Sequence, residues 1–180
     1  MRVQDIVNDN TILKVGEFSI LWNVFEDKVD REIERKKTDP AYQNKKFVLT
    51  QEIHGFITSQ INWLNLNNTQ VAAVEQLSQE LKTRANYIYR SEATEIRRIE
   101  LYVENKLFPK EESRNIARKL GDLEVIRSFI NEPIKENARG SMFSVWAMRN
   151  NLFHGEKRIY DLNGQERLFE CANAVLREVL

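Results

Sequence analysis

The chain is short of the residues that build cross-linked or metal-bound domains. Its 180 residues include one cysteine, Cys171, and two histidines, His54 and His154. A single cysteine excludes an internal disulfide, and the chain has no cluster of nitrogen and sulfur ligands of the kind that binds zinc. Cys171 falls on the apolar side of the last helical pattern, so we interpret it as a core residue and not as a nucleophile. We expect neither a metal nor a cofactor.

The chain also lacks an excess of charge and any long apolar run. Lysine plus arginine number 27, as do aspartate plus glutamate, so the formal net charge is zero. Without a basic excess, any nucleic-acid site has to be local. No run is long and apolar enough to cross a membrane, and the first ten residues lack the apolar region of a signal peptide. These absences predict a cytoplasmic protein that does not bind membranes.

Proline and glycine are scarce, at three and six residues. Apolar residues recur instead at spacings of three and four, which is typical of amphipathic helices. We therefore expect an all-α fold, with residues 1–180 forming a single domain of about six or seven helices in a bundle. The pattern predicts, among other elements, a first helix opening near Gly16 after a partly ordered lead-in, a helix over residues 51–66, and a short helix over residues 111–120 that ends at Gly121.

The first and last helical patterns have the clearest apolar faces. The face of the first helix consists of Phe18, Leu21, Trp22, Phe25 and Val29. The face of the last helix consists of Leu168, Phe169, Ala172, Val175, Leu176 and Val179. We expect both faces to be buried in the core, because a soluble helix turns its apolar stripe inward.

The stretch from Ser141 to Gly155, which reads SMFSVWAMRNNLFHG, combines a helical pattern with polar residues near its end. Ser141 is a good N-cap residue because its hydroxyl can accept from a free backbone N–H of the first turn. Gly155 suits the left-handed position just past a helix end. One helix face carries the apolar residues Val145, Met148 and Leu152.

Arg149 and His154 in this stretch could act together on a phosphodiester. Arginine stays charged and can bind a phosphate through two parallel hydrogen bonds, while histidine can exchange a proton near neutral pH. A step of five residues leaves them about 140° apart on an ideal helix. They converge if the helix ends at His154, or if two copies of the chain pack these helices together. In the plainer interpretation, Arg149 forms a surface salt bridge and His154 caps the helix.

The pattern Arg149-Asn-Asn-Leu-Phe-His154 resembles the Arg-x4-His signature of the HEPN superfamily, with Asn150 at the polar position that often follows the arginine. The stretch Glu17-Phe-Ser-Ile-Leu-Trp-Asn-Val-Phe-Glu26 also resembles the first helix of one HEPN branch. The resemblance covers these two stretches and little of the middle of the chain. It implies the HEPN helical bundle, and a homodimer in which the signature helices of two subunits meet in one cleft.

The resemblance also implies a function, because many HEPN proteins are metal-independent ribonucleases. Cleavage of RNA would give a 2′,3′-cyclic phosphate and a 5′-hydroxyl, with His154 as general acid or base and Arg149 on the scissile phosphate. Asn150 would orient the phosphate or the histidine, Asn151 would do so more weakly, and Glu26 is a speculative acidic partner. The expected setting is toxin–antitoxin control, stress response or phage defence, with RNA as substrate and an antitoxin or regulatory protein as a possible partner.

Two alternatives remain open. The domain could be a non-catalytic HEPN-type module that binds RNA, a nucleotide or a protein, since some family members use the same helix without cleavage. It could also be an ordinary helical scaffold.

Elsewhere, we interpret His54 as a partly buried structural residue. The arginines Arg84, Arg90, Arg97 and Arg98, with Tyr87 and Tyr89, could bind nucleic acid, although the interleaved glutamates favour a salt-bridged, solvated face.

Overall fold

The structure, a computed structural model, describes residues 7–84, 93–94, 96–97, 110–153 and 162–180, with side chains throughout except at 110–119, 135 and 153. Every regular element in these ranges is helical, and six of the helices have eleven residues or more. The expected all-α bundle is therefore confirmed. The helices are α1 (Asp9–Lys37), α2 (Leu49–Ser59), α3 (Asn68–Lys82), α4 (Lys110–Asn131), the single turn α5 (Ile134–Asn137), α6 (Gly140–Phe153) and α7 (Glu166–Val179), with a 3-10 turn at Pro40–Tyr42.

The last helix lies at the centre of the bundle. Helix α7 packs against α1 and α3 and also contacts α6, while α4 lies against α6 and α3. The faces predicted for α1 and α7 are buried, apart from Leu21 and Val179, which are half-buried. The rings of Phe18 and Phe169 meet edge to face, with centroids 5.3 Å apart, where the two helices cross. Cys171 is buried as predicted.

Helix α1 begins earlier than its apolar pattern indicates. Its N-cap is Asn8, whose side-chain oxygen accepts a hydrogen bond from the Thr11 backbone N–H at 2.8 Å. The Thr11 hydroxyl and the Asn8 amide both donate to the Glu166 carboxylate, at 2.5 and 2.6 Å. The expected opening near Gly16 is thus wrong, because contacts with the start of α7 stabilise a first turn that has little apolar periodicity.

Helix α2 is shorter than predicted. It spans Leu49–Ser59 rather than residues 51–66, and Leu64 is 83% exposed on the turn that follows. The chain turns back there because the Trp63 indole N–H donates to the Ile57 carbonyl oxygen at 2.6 Å. The next helix starts with a capping box, in which the Asn67 and Gln70 side chains bond to each other's backbone N–H groups.

Helix α4 is a single element of 22 residues. The prediction of a short helix over residues 111–120 with Gly121 as its C-cap is therefore wrong, since Gly121 lies inside the helix. Glycine lowers helix stability by about 1 kcal/mol relative to alanine but does not by itself end a helix. The buried residues that follow it, Ile126, Phe129 and Ile130, form the surface on which α6 packs.

Candidate functional site

Helix α6, which carries the Arg-x4-His pattern, approaches α4 closely at its first residue. A Cβ atom added to Gly140 would lie 2.3 Å from the Phe129 Cβ and 3.0 Å from the Val125 carbonyl oxygen. Only glycine allows the two backbones to come this near. From Gly140 to Trp146 every residue of α6 is buried, so this crossing anchors the helix whose far end carries Arg149.

Ser141 does not act as the predicted N-cap. Its hydroxyl is buried and donates to the Ala138 carbonyl oxygen at 2.7 Å, and the Ser144 hydroxyl donates to the Gly140 carbonyl oxygen at 2.7 Å. Both hydroxyls thus satisfy backbone acceptors within or just before the helix. Helix α6 begins one residue before Ser141 because packing of Gly140 against α4 determines where it starts.

Arg149 forms an ion pair with Glu26, the acidic residue singled out in the first helix. The Arg149 Nη2 atom lies 3.1 Å from Glu26 Oε1, although the two residues are 123 positions apart. Their side chains are 25% and 20% exposed, respectively, so the pair lies at the edge of the core and still meets solvent. Arg149 Nη1 also donates to the Asn150 side-chain oxygen at 3.3 Å.

The structure thus brings together three of the five predicted site residues: Glu26, Arg149 and Asn150. Asn151, the next residue of α6, is half-buried. His154 and Gly155 lie outside the described residues, so the geometry between Arg149 and His154 stays a prediction. What the described part offers chemically is a fixed guanidinium, partly open to solvent, with a carboxylate on one side and an amide on the other.

The structure also shows the contacts of several other residues that the sequence singled out. His54 is partly buried, packs edge to face on Phe143 with ring centroids 5.2 Å apart, and places its Nε2 3.9 Å from Asp122 Oδ1. Arg84 pairs with Glu80 at 3.0 Å and donates to the Gly164 carbonyl oxygen. Arg97 is exposed. The remaining candidates for nucleic-acid contact lie outside the described residues: Arg90, Arg98, Tyr87 and Tyr89.

An ion-pair cluster that the sequence did not indicate joins the end of α1 to α2. The Glu52 carboxylate is buried and accepts from Lys36 Nζ at 2.8 Å and from Lys45 Nζ at 3.5 Å. The hydrogen bond from Lys36 holds the pKa of Glu52 below its usual range. Lys36 is 16 positions from Glu52 on another helix, and Lys45 lies in the non-helical segment before α2, so the periodicity of α2 could not have found either contact.

Among the described residues, no group of three or more histidine, cysteine, aspartate or glutamate side chains is arranged to hold a metal ion. None of the described helices is long and apolar enough to cross a membrane.

A comparison of the chain with known protein families, curated proteins and solved structures found no match. Assignment of function therefore rests on the residues around Arg149.

Proposed function

We propose that the chain is a metal-independent endoribonuclease of HEPN type, which cleaves RNA to a 2′,3′-cyclic phosphate and a 5′-hydroxyl. The observation that supports this most is the anchored guanidinium of Arg149, held by Glu26 and Asn150 and still partly open to solvent. An arginine fixed in this way has little side-chain freedom left to lose when it binds a phosphate. It is therefore suited to stabilise charge that builds up on phosphorus.

Each residue has a defined task in the proposed reaction. The ribose 2′-oxygen attacks phosphorus and the 5′-oxygen leaves. His154 would take the proton from the 2′-hydroxyl or give one to the leaving 5′-oxygen. Arg149 would bind the non-bridging phosphate oxygens, Asn150 would orient the phosphate or the histidine, and Glu26 would keep the guanidinium in place. Asn151 would have a minor positioning role.

The proposal extends to assembly and biology. As the HEPN resemblance implies, the active form would be a homodimer, and its activity would be restrained or triggered by an antitoxin or another regulatory protein. A role in toxin–antitoxin control, stress response or phage defence would follow from such regulated RNA cleavage.

The test is cleavage of labelled total RNA and tRNA by the purified full chain in excess EDTA. Wild type should cleave, and Arg149→Ala and His154→Ala should each lose the activity while keeping the wild-type circular dichroism spectrum. The matched control is Arg177→Ala, which removes another arginine that pairs with a glutamate of α1 but should cleave like wild type. Products should carry a 2′,3′-cyclic phosphate. Equal cleavage by wild type and both site variants would refute the proposal.

The ion pair itself favours a second candidate function, a non-catalytic module that binds RNA or a nucleotide. Because Glu26 already neutralises part of the Arg149 charge, the site could hold a phosphate reversibly without driving chemistry on it. This function predicts that labelled RNA binds wild type without being cleaved in the presence or absence of EDTA, and that Arg149→Ala weakens binding. Fluorescence anisotropy measures the affinity, and Arg177→Ala again serves as the control.

A further inference from the structure

A groove of about 520 Å³ lies between the second half of α1, the turn after α2, the start of α3 and the end of α7. Its volume falls within the range of about 300 to 1,000 Å³ that is usual for ligand sites. The residues that give the groove its charge, its apolar surface and its side-chain amide are Lys28, Arg31, Arg35, Phe56, Ile61 and Gln60. We call this site the basic groove.

The cations of the basic groove lie on one face of α1. Lys28, Arg31 and Arg35 fall within about 60° of the helix circumference and span about 10 Å along its axis. Lys28 Nζ donates to two backbone carbonyl oxygens at the end of α7, at 2.9 and 3.2 Å, and pairs with no carboxylate side chain among the described residues. The one acid that lines the groove is Glu32, so its lining residues carry three positive charges and one negative charge.

The two arginines can accept new carboxylates without breaking a buried contact. Arg31 pairs with Asp27 at 2.5 Å, and the two side chains are 80% and 57% exposed. An exposed pair of this kind contributes less than about 1 kcal/mol and can rearrange. Arg35 bonds Glu32 through Nε and Nη2, and its guanidinium keeps further N–H donors that are open to solvent.

Beside the cations, the groove offers apolar surface and an unpaired amide. Phe56 and Ile61 are half-buried, and they could pack against an apolar side chain of a ligand. The Gln60 side chain forms no hydrogen bond within the described part of the chain. A side-chain amide can donate to a carbonyl oxygen and accept from an N–H, so Gln60 is suited to bind a peptide backbone.

We propose that the basic groove binds an acidic segment of a partner protein, with the carboxylates of the segment on the three cations of α1 and an apolar side chain of the segment on Phe56 and Ile61. The charge of the groove is complementary to such a segment. The cations are three and four residues apart, so a helical segment with acids at the same spacing can pair with all of them.

A nucleic-acid strand fits the basic groove less well than an acidic peptide does. Glu32 inside the groove and Asp27 beside it would repel an unbroken row of phosphates, whereas a peptide can place neutral side chains opposite these two acids. Strands without base pairing also bind by stacking their bases on aromatic rings. The ring that lines this groove, Phe56, is half-buried and packs edge to face on Phe25 with centroids 5.6 Å apart.

The basic groove lies on the other side of α1 from the candidate site. Glu26 is at least about 140° around the helix from each of the three cations. A bound segment therefore leaves the Arg149–Glu26 pair uncovered. The inference does not depend on the proposed function, and peptide binding can be measured separately from RNA cleavage.

Fluorescence anisotropy of a labelled peptide at low salt tests the proposal with the full chain. The probe is an alanine-based helical peptide with glutamates three and four residues apart and leucines between them. A few exposed ion pairs and one or two covered leucines predict a dissociation constant of about 10 to 100 µM. The same peptide with glutamine in place of every glutamate should bind at least about tenfold more weakly.

Two charge reversals distinguish the groove from general attraction to the protein. Arg31→Glu should weaken binding of the acidic peptide at least about tenfold, because an ion pair is replaced by repulsion. The matched control is Arg167→Glu, which reverses another exposed arginine that pairs with an acid of its own helix and should bind like wild type. Absence of binding to wild type, or equal loss in both variants, would overturn the inference. Displacement of the peptide by a lower concentration of single-stranded RNA would assign the groove to nucleic acid and would also overturn it.

Discussion

Replacing Gly140 by alanine should destabilise the protein even though alanine is the better helix former. The new Cβ would lie 2.3 Å from the Phe129 Cβ and 2.9 Å from its Cγ. Carbon atoms in contact prefer about 3.5 Å or more, so α6 and α4 would have to separate by more than about 1 Å. Phe129 is fully buried and has no room to retreat.

The magnitude follows from two opposing effects. Overpacking of a filled core costs about 1 to 3 kcal/mol, and the gain in helix propensity at this first helical position is below about 1 kcal/mol. We expect Gly140→Ala to lower the free energy of unfolding by about 2 kcal/mol. The assay is urea unfolding followed by far-UV circular dichroism and tryptophan fluorescence, with the m value checked for two-state behaviour.

The chain offers two matched controls. Gly55 and Gly121 lie within α2 and α4, and a Cβ atom added to either meets nothing within 4 Å. Alanine at these positions should raise the free energy of unfolding by about 0.5 to 1 kcal/mol. If Gly140→Ala unfolded at the same urea concentration as Gly121→Ala, the close approach of α6 to α4 would not exist as described.

Two further predictions concern polar contacts between distant helices. Glu26→Ala and Arg149→Ala should each destabilise the fold, and the double variant should be less destabilised than the sum of the two by about 1 kcal/mol, because the ion pair is partly buried; additive losses in urea unfolding would contradict the contact. Hydrogen bonds from Asn8 and Thr11 lower the pKa of Glu166 to about 2 from an unfolded value of 4.5. The folded pKa is the lower one, so the contribution of Glu166 to stability is complete above pH 4.5 and is lost as the pH falls towards 2. Glu166→Gln should flatten the pH dependence of unfolding in that window, and an unchanged slope would refute the assignment.

Much of the fold was predictable because it depends on local spacing. The three- and four-residue spacing around Trp22 in α1 and around Ala172 in α7 is enough to indicate which faces are buried. The core position of Cys171 follows from the same periodicity. A residue's burial depends mainly on the apolar face to which it belongs, so these predictions did not require knowledge of the neighbouring helix.

Helix boundaries were predicted less well because they depend on residues far away in the chain. Gly121 and Gly140 have the same local character, yet one lies within a helix and the other begins one by packing on Phe129. The start of α1 depends on Glu166, which is 155 positions from Thr11. No pattern within a short window contains such information.

For the candidate site too, the local sequence identified the residues but not the contacts between them. The resemblance around Arg149 singled out the residues of α6, and the opening stretch included Glu26, but their hydrogen bond results from how α1 and α6 lie in the bundle. Ser141 illustrates the opposite case, since a good capping residue donates to a carbonyl in the core instead. Side-chain type limits which bonds are possible, and packing decides which of them form.

The position of α7 has a consequence for how the protein is made on the ribosome. Helices α1 and α3 both pack on α7, and Asn173 donates to the Lys14 carbonyl oxygen and to the Glu17 carboxylate. Helix α1 can pack on α2 before then, and α3 on α4, but the apolar surface that α1 and α3 bury on α7 stays exposed until residues 166–179 have left the exit tunnel. Folding of the complete bundle is therefore delayed until α7 emerges. A chain shortened before α7 should therefore aggregate, because the apolar faces that α7 covers stay exposed.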